Sequence, residues 1–246
     1  MSRVWVIFKR LSRLLKFLLI CLILTICIFM LWRAFSTSTP KEIKNISVNA
    51  DMKGAYAQKG DGLYVFKQVY DQITRHERNA GYFGVPEAEF VPDANQAHIV
   101  FRYNNSTLRE VAADYSLAEV PQRESVLFDL SLVVCIDLTP ENKNDNIGSD
   151  LANFKNVRIK PSSRETAKST LYNFERLVFE FENAEEPLDL AELLEKDAII
   201  AIYVDVYYNG DVDYEKNAYG TLCVYDYRRE DIAVKLSGKE KKALGE

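Results

Sequence analysis

The sequence predicts a mainly β protein: one N-terminal transmembrane helix, then an antiparallel β-sandwich-like domain outside the membrane, with a short helix in one connection. Three observations favour this fold class. Residues 17–32 contain a single non-apolar residue, Thr25, and no charge. Several later segments alternate apolar and polar residues with a period of two. Helical periodicity is scarce beyond the apolar run.

The apolar run lies between Lys16 and Arg33, whose long side chains can reach the membrane interface. The effective span, residues 14–35, is close to the roughly 20 residues that a helix needs to cross the hydrocarbon core. The chain therefore divides into a short basic cytoplasmic segment (1–13), the transmembrane helix (14–35), a stalk leading into the domain (36–50) and the domain itself (51–246).

The charges that flank the span predict its orientation. Five basic residues and no acidic residue precede the apolar run, and such a flank stays in the cytoplasm. We expect a single-pass cell-membrane protein with its C-terminal domain outside. The alternative is a cleaved signal peptide, since Ala34, Phe35 and Ser36 resemble a small-x-small cleavage site. Against cleavage, Arg33 interrupts the approach to that site, and the apolar run slightly exceeds the usual length.

The charge of the remaining chain limits its partners. All acidic residues follow residue 36, which gives the external part a net charge of −11. Nucleic acid and anionic surfaces require a basic footprint. We therefore predict no nucleic-acid partner, and a lipid bilayer that contacts residues 14–35. No cofactor is predicted, because no cofactor-binding motif occurs in the sequence.

The strongest strand prediction covers residues 126–138, where seven apolar residues share one face. Similar patterns predict strands near 99–103, 157–159, 176–182, 199–208, 219–227 and 232–236, and residues 63–73 are also assigned to a strand. One polar face on each strand is typical of antiparallel sheets. The predicted core residues are Leu130, Leu132, Val134, Phe179 and Ile202.

The segments between these strands predict the remaining structure. Residues 188–196 and 239–244 suit short helices. Residues 81–95 show no periodicity and predict a long loop, either functional or covering the sheet. Asn209, Gly210 and Asp211 predict a hairpin turn between two strands.

The search for catalytic and metal-binding residues predicts none. His76 and His98 are expected to be solvated, and no nucleophile elbow or phosphate-binding glycine loop is present. Two acidic groups offer calcium-like oxygen ligands without EF-hand spacing, and we interpret them as solvated loops. They are Asp211, Asp213 and Glu215, and Asp145, Asn146 and Asp150.

Two of the four cysteines, Cys135 and Cys223, lie in predicted strands of the domain. An external compartment permits a disulfide between them. Cys135 points away from the dense apolar row. A bridge between the two sheets, as in immunoglobulin domains, would need a cysteine on the same face as that row. A bridge between neighbouring strands and two unbridged thiols both remain open.

A cluster of tyrosines gives the sharpest hypothesis about a ligand. Seven of the fourteen lie between Tyr203 and Tyr227. Tyr203 and Tyr207 belong to the outer row of their strand, and the next strand could extend that row. The possible ligand face comprises Tyr203, Tyr207, Tyr225 and Tyr227, because exposed rings with polar tips suit glycans and peptides. The alternative is that another segment covers this face and the rings simply pack.

These observations favour a membrane-anchored interaction or structural module with a protein or glycan partner outside the membrane. Two alternatives remain open. One is a cell-envelope hydrolase based on two carboxylates, which leave no spacing signature. The other is an accessory subunit that assembles with membrane proteins through its anchor helix.

Overall fold

The computed structural model describes residues 3–68, 83–122, 127–137, 155–195, 199–209, 218–227 and 230–245. Within them the chain is a mixed helix and strand protein with two antiparallel sheets and one N-terminal apolar helix. The α-helices of these residues are α1 (Arg3–Thr37), α2 (Ala50–Lys59), α3 (Asn105–Asp114), α4 (Leu190–Glu195) and α5 (Gly238–Leu244).

Helix α1 is, among the described residues, the one helix long and apolar enough to cross a membrane, over Ser12–Thr37. None of its most apolar stretch is buried by the rest of the chain. A helix this apolar on every side suits lipid rather than water.

The larger sheet, sheet A, has six strands in the order β10-β1-β2-β3-β7-β6. Its longest pairing joins β3 to β7, with Ile99 opposite Leu177. The strands are β1 (Phe66–Gln68), β2 (Gly84–Val91), β3 (Gln96–Asn104), β6 (Ser163–Lys168), β7 (Tyr172–Glu180) and β10 (Asp231–Ala233).

The smaller sheet, sheet B, has four strands in the order β5-β4-β8-β9. Strand β4 pairs with β8 along its whole length. The strands are β4 (Phe128–Asp137), β5 (Lys155–Ile159), β8 (Ile199–Tyr208) and β9 (Gly220–Asp226).

Side chains from both sheets meet in one apolar core. The Phe128 ring of β4 lies 5.0 Å from the Tyr103 ring of β3, centroid to centroid. At the other end, the Tyr225 ring of β9 lies 5.6 Å from the Phe90 ring of β2. All five predicted core residues are buried, which confirms the alternation on which their assignment rested.

The best-patterned strands and both short helices are confirmed. Strands β4, β7 and β8 lie where the period-two pattern predicts them, as do helices α4 and α5. Strands β8 and β9 pair antiparallel, as a hairpin requires. Their first pair is Val206 with Gly220, so the connection is longer than a two-residue turn. Gly210 and Asp211 lie outside the described residues.

The prediction of a long loop over residues 81–95 is wrong from Gly84 onwards. Strand β2 occupies Gly84–Val91, and a short 3₁₀ turn follows. Both faces of β2 are covered: Phe90 faces the core, while Glu89 is 7% exposed and contacts Arg176. A strand buried on both sides shows no alternation between apolar and solvated residues, so the pattern missed it.

The expectation that helix would be scarce is also wrong, since α2 and α3 were not predicted. Each begins at an asparagine whose side chain accepts backbone hydrogen bonds: Asn49 for α2 and Asn104 for α3. Helix α2 buries only Met52 and Ala55, too few to leave a clear helical period.

Residues 36–49, which we call the junction segment, lie against the outer face of sheet A. Ile43 packs with Val100 and Phe174, and the backbone N–H of Ile46 donates to Glu240 Oε1 at 2.7 Å. At the end of α1, Ser169 Oγ donates to the carbonyl of Ser36 at 2.8 Å. The segment assigned to a stalk therefore contacts the domain along much of its length.

Candidate functional site at the open edge of β4

Strand β4 lacks a partner along part of one side. Strand β5 pairs with it only from Leu132 to Ile136. Beyond Ile159 the chain leaves sheet B and joins sheet A at Ser163, where β6 begins. Among the described strands, none continues beside β4 from Phe128 to Ser131.

A cavity of about 440 Å³ occupies this position, and we call it the β4-edge pocket. It lies within the size range, about 300–1,000 Å³, of sites that bind small molecules. Its lining combines cations, carboxylates and a phenol: Asp129, Leu130, Ser131, Arg158, Lys160, Pro161, Arg164, Glu185 and Tyr207.

Arg164 lies between two carboxylates at the inner wall of the pocket. Its Nη2 is 3.7 Å from Asp129 Oδ1, and its Nε is 3.6 Å from Glu175 Oε2. Both distances exceed those of normal hydrogen bonds. The Arg164 guanidinium therefore donates no hydrogen bond to a described residue, although its side chain is 21% exposed. Its donors remain available to a ligand.

Glu175 has a perturbed pKa because its side chain is 3% exposed. Burial raises the pKa of Glu175 to about 7, and the positive charge of Arg164 opposes that rise. A perturbed carboxyl beside a cavity is a typical feature of functional sites. Here the carboxyl lies behind Arg164 rather than in the open cavity, so it orients the guanidinium and does not line the pocket.

A second group of polar contacts forms the outer wall. Arg158 Nη2 lies 3.5 Å from Asp205 Oδ2, and the Tyr207 hydroxyl donates to that same oxygen at 3.1 Å. Thr221 Oγ1 donates to Asp205 Oδ1 at 2.7 Å. Burial raises the pKa of the Tyr207 phenol. Asp205 thus accepts from Arg158, Tyr207 and Thr221. Its contact with Arg158 keeps that guanidinium at the pocket, where the Arg158 side chain is 48% exposed.

The four tyrosines of the predicted ligand face lie in different surroundings. Tyr203 and Tyr207 are on the outer face of sheet B and are 3% and 7% exposed. Tyr225 packs in the core between the sheets, against Phe66 and Phe90. Tyr227 is partly buried beside Tyr203. The ligand face stays a prediction, and the burial of Tyr203 and Tyr207 is what the packing alternative requires.

Cys135 and Cys223 are thiols on the same outer face of sheet B. Cys135 lies opposite Ala201 and Cys223 opposite Tyr203, so β8 separates the two cysteine strands. Two strand spacings amount to about 10 Å, beyond the roughly 7 Å between Cα atoms that a disulfide tolerates. Burial raises the pKa of Cys135 to about 12, which keeps its thiol protonated at neutral pH.

Metal-binding side chains do not converge in the parts of the chain that the structure describes. No group there contains three or more His, Cys, Asp or Glu side chains placed to hold a metal ion. Both calcium-like groups, residues 211–215 and 145–150, lie outside the described residues, as does His76.

A buried charged cluster lies on the opposite side of sheet A, beneath the junction segment. Arg176 is fully buried; its Nε donates to the carbonyl of Ile43 at 2.7 Å and its Nη2 to that of Lys44 at 3.1 Å. Its Nη1 donates to Glu89 Oε2 at 3.3 Å. Burial raises the pKa of Glu89, and Arg176 opposes that rise. This cluster fixes the junction segment to the sheet.

His98 belongs to the same buried face, so the expectation that it would be solvated is wrong. It is fully buried, and burial together with the charge of Arg176 lowers its pKa to about 3. The imidazole is therefore neutral at physiological pH. Neither of its ring nitrogens has a hydrogen-bond partner among the described residues.

Sequence reasoning missed every cation of the β4-edge pocket. Arg158 and Lys160 were interpreted only as the polar face of a strand, and Arg164 carries no local motif. The pocket exists because β5 ends early and the chain changes sheets, which a single-sequence pattern does not reveal. The short Pro161-containing link after β5 is the one local signal of that change.

Comparison of the chain with protein-family models, curated proteins and solved structures gave no match.

Proposed function

We propose that the chain is a single-pass membrane-anchored interaction module, with its N-terminus in the cytoplasm and its folded domain outside. The observation that carries the proposal is an apolar helix whose most apolar stretch is exposed and whose last turn is bonded into a folded domain. Exposed apolar surface on that scale requires a lipid or protein environment.

The end of α1 supports a retained anchor rather than a cleaved signal peptide. Ser36, at the possible cleavage site, is 3% exposed in the folded chain. Its carbonyl is one of the last four of the helix, which have no intrahelical partner, and Ser169 Oγ satisfies it. The basic residues before the span support the cytoplasmic location of the N-terminus.

The same contacts support a domain that lies on the membrane surface without a free stalk. Ser36 follows Arg33, the first charged residue after the apolar run, by less than one helical turn. The β6–β7 turn, residues 169–171, meets α1 at this point and carries the partly exposed Leu171. We infer that this turn lies at the lipid headgroups and that the two facing sheets form a sandwich-like domain above it.

The β4-edge pocket supports interaction over hydrolysis. Two carboxylates, Asp129 and Glu185, line the pocket. A hydrolase would also need a carboxylic acid that reaches the substrate, and the carboxyl with a raised pKa here is Glu175, behind the lining. Glu175 is nearly inaccessible and lies beside Arg164. Arg158, Lys160 and Arg164, by contrast, line the cavity and suit binding.

Membrane extraction with protease mapping tests the proposal. After alkaline carbonate treatment of cells that express the full chain, the protein should stay with the membrane pellet. External protease should remove the domain and leave a small membrane-bound stub. A soluble mature protein that begins near Thr37 would contradict the anchor.

A matched variant controls for peripheral attachment. Ile23→Lys combined with Ile26→Lys places two charges in the span, where each costs about 2.5–3.5 kcal/mol. The variant should be released by carbonate while its domain remains folded. Retention of this variant in the pellet would show that the helix is not the anchor.

A further inference from the structure

The part of β4 that pairs with no described strand on one side directs main-chain groups toward the β4-edge pocket, where Leu130, 3% exposed, is a lining residue. In an antiparallel ladder the N–H and C=O of one residue point to the same side, and successive residues alternate. The N–H of Asn209 donates to the carbonyl of Leu127, which therefore faces β8. By alternation, the peptide groups of Leu130 face away from β8.

A second hydrogen bond gives the same result independently. The N–H of Tyr219 donates to the carbonyl of Val206, so Val206 faces β9. Val206 is the partner of Leu130 in the β4–β8 pairing. The two residues therefore form a pair that exchanges no hydrogen bonds, and Leu130 points its N–H and C=O toward the open edge.

Cations outnumber carboxylates in the lining of the same cavity, by three to two. Arg158, Lys160 and Arg164 line it together with two carboxylates, Asp129 and Glu185. Lys160 forms no ion pair with a described residue, and Arg164 forms no hydrogen bond there. Two guanidinium groups, each with N–H donors that no described residue accepts, are suited to bidentate binding of carboxylate.

We propose that the β4-edge pocket binds an extended peptide segment that carries an acidic side chain. The peptide adds a short strand beside β4, with its main chain bonded to the N–H and C=O of Leu130. Its carboxylate lies between Arg158 and Arg164. Strand addition derives affinity from main-chain hydrogen bonds and specificity from alternate side chains. A free anion or a sugar would leave the Leu130 peptide groups unpaired, so a peptide fits the two features together.

This inference rests on the proposed function, because it names the partner of the interaction module. Its failure is distinguishable, because peptide binding and membrane extraction are measured separately. If the chain extracts as an integral membrane protein and binds no peptide, only the peptide-binding proposal is contradicted.

The experiment measures fluorescence anisotropy of labelled peptides with the full chain in detergent micelles. The probe is the acetylated and amidated peptide Thr-Val-Glu-Val-Glu-Val-Thr. A peptide with Gln in place of Glu should bind about tenfold more weakly or worse, because it loses charge-assisted hydrogen bonds. A peptide with N-methylated valines should bind weakly too, because its main chain can no longer pair.

Variants locate the site. Arg164→Gln and Lys160→Gln should each weaken binding of the acidic probe, by about tenfold for Arg164 and less for the exposed Lys160. Arg109→Gln, on the exposed side of α3, is the matched control and should bind normally. Lys160→Gln guards against misfolding as an explanation, because the Lys160 side chain is exposed and forms no ion pair with a described residue.

Four results would overturn the proposal: no saturable binding of the acidic probe, equal binding of the Gln peptide, equal binding of the N-methylated peptide, or unchanged affinity in both pocket variants. Competition by glutarate or a polyuronate at concentrations at which the acidic peptide fails to compete would assign the pocket to free anions or acidic glycans instead.

Discussion

Two arginines on neighbouring strands of sheet A behave in opposite ways. Arg176 on β7 is fully buried and donates hydrogen bonds to two backbone carbonyls and to Glu89. Arg164 on β6 is partly exposed and has two carboxylates nearby, but no hydrogen bond to a described residue. Arg176 fixes the junction segment to sheet A, whereas Arg164 is available to bind a ligand.

The same residue type can stabilise the fold at one position and bind a ligand at another, depending on whether its hydrogen bonds are satisfied. A buried charge persists only when hydrogen bonds satisfy it, and removing one partner leaves the others uncompensated. Arg176 meets that condition and couples the junction segment to β2 and β7. Arg164 lies at an edge where water or a ligand can complete its hydrogen bonds, so its loss should cost the fold little.

Arg176→Met should produce the largest effect. It removes the donors for the carbonyls of Ile43 and Lys44 and leaves Glu89 buried without its cation. We expect a loss of about 3–5 kcal/mol in the free energy of unfolding, the usual cost of breaking a buried ion pair. Chemical denaturation of the full chain in micelles measures it. A loss below about 1 kcal/mol would show that the junction segment is not fixed by this side chain.

Glu175→Gln should change how stability depends on pH. The folded-state pKa of Glu175, about 7, lies above its ordinary value of 4.5. The folded protein therefore binds this proton more tightly than the unfolded chain does. Protonated Glu175 therefore makes its full contribution to the free energy of unfolding below about pH 4.5. That contribution, about 3 kcal/mol, is lost as the pH rises to about 7.

Unfolding free energies at pH 4.5 and pH 8 measure this difference. Glu175→Gln should flatten the pH profile and be more stable than the unmodified chain at pH 8. Parallel profiles for the two proteins would mean that burial does not perturb this carboxyl. Glu182→Gln, on an exposed carboxylate, is the control and should leave the profile unchanged.

Arg164→Gln should have the smallest effect on stability, within about 1 kcal/mol at pH 6, where Glu175 is mostly protonated. Thermal melts of this variant and of Arg176→Met compare the loss of melting temperature that each substitution causes. Comparable losses in melting temperature would erase the distinction between a structural and a binding arginine.

The sequence was sufficient for the features that repeat locally. The apolar run and the alternation in β4 and β8 located the N-terminal apolar helix, the main strands and five core residues. Strand β2 was missed because a glutamate such as Glu89 is normally solvated. Its burial depends on Arg176, which is distant in the sequence. The pairing order β4-β8-β9, which separates Cys135 from Cys223, is likewise a long-range property.

The β4-edge pocket could not be predicted for the same reason. Arg158 and Arg164 come together where the chain passes from one sheet to the other, and no spacing marks that passage. The short capped helices, α2 and α3, were missed for a different reason. Their capping asparagines are common in turns as well, and few of their residues are buried.

We propose that the domain lies on the membrane, held there by the contacts of the junction segment, and not on a free stalk. Depth-dependent fluorescence quenching tests it in the full chain with Cys21→Ala and Cys27→Ala, reconstituted into vesicles with nitroxide-labelled lipid headgroups. One fluorophore is attached at Leu171→Cys in the β6–β7 turn, and in a second protein at Asn183→Cys, beyond the other end of β7. The nine residues of β7 separate these ends by about 30 Å. We predict strong quenching at position 171 and almost none at position 183. Equal quenching at the two positions would contradict the account, since a domain on a flexible stalk would sample all orientations.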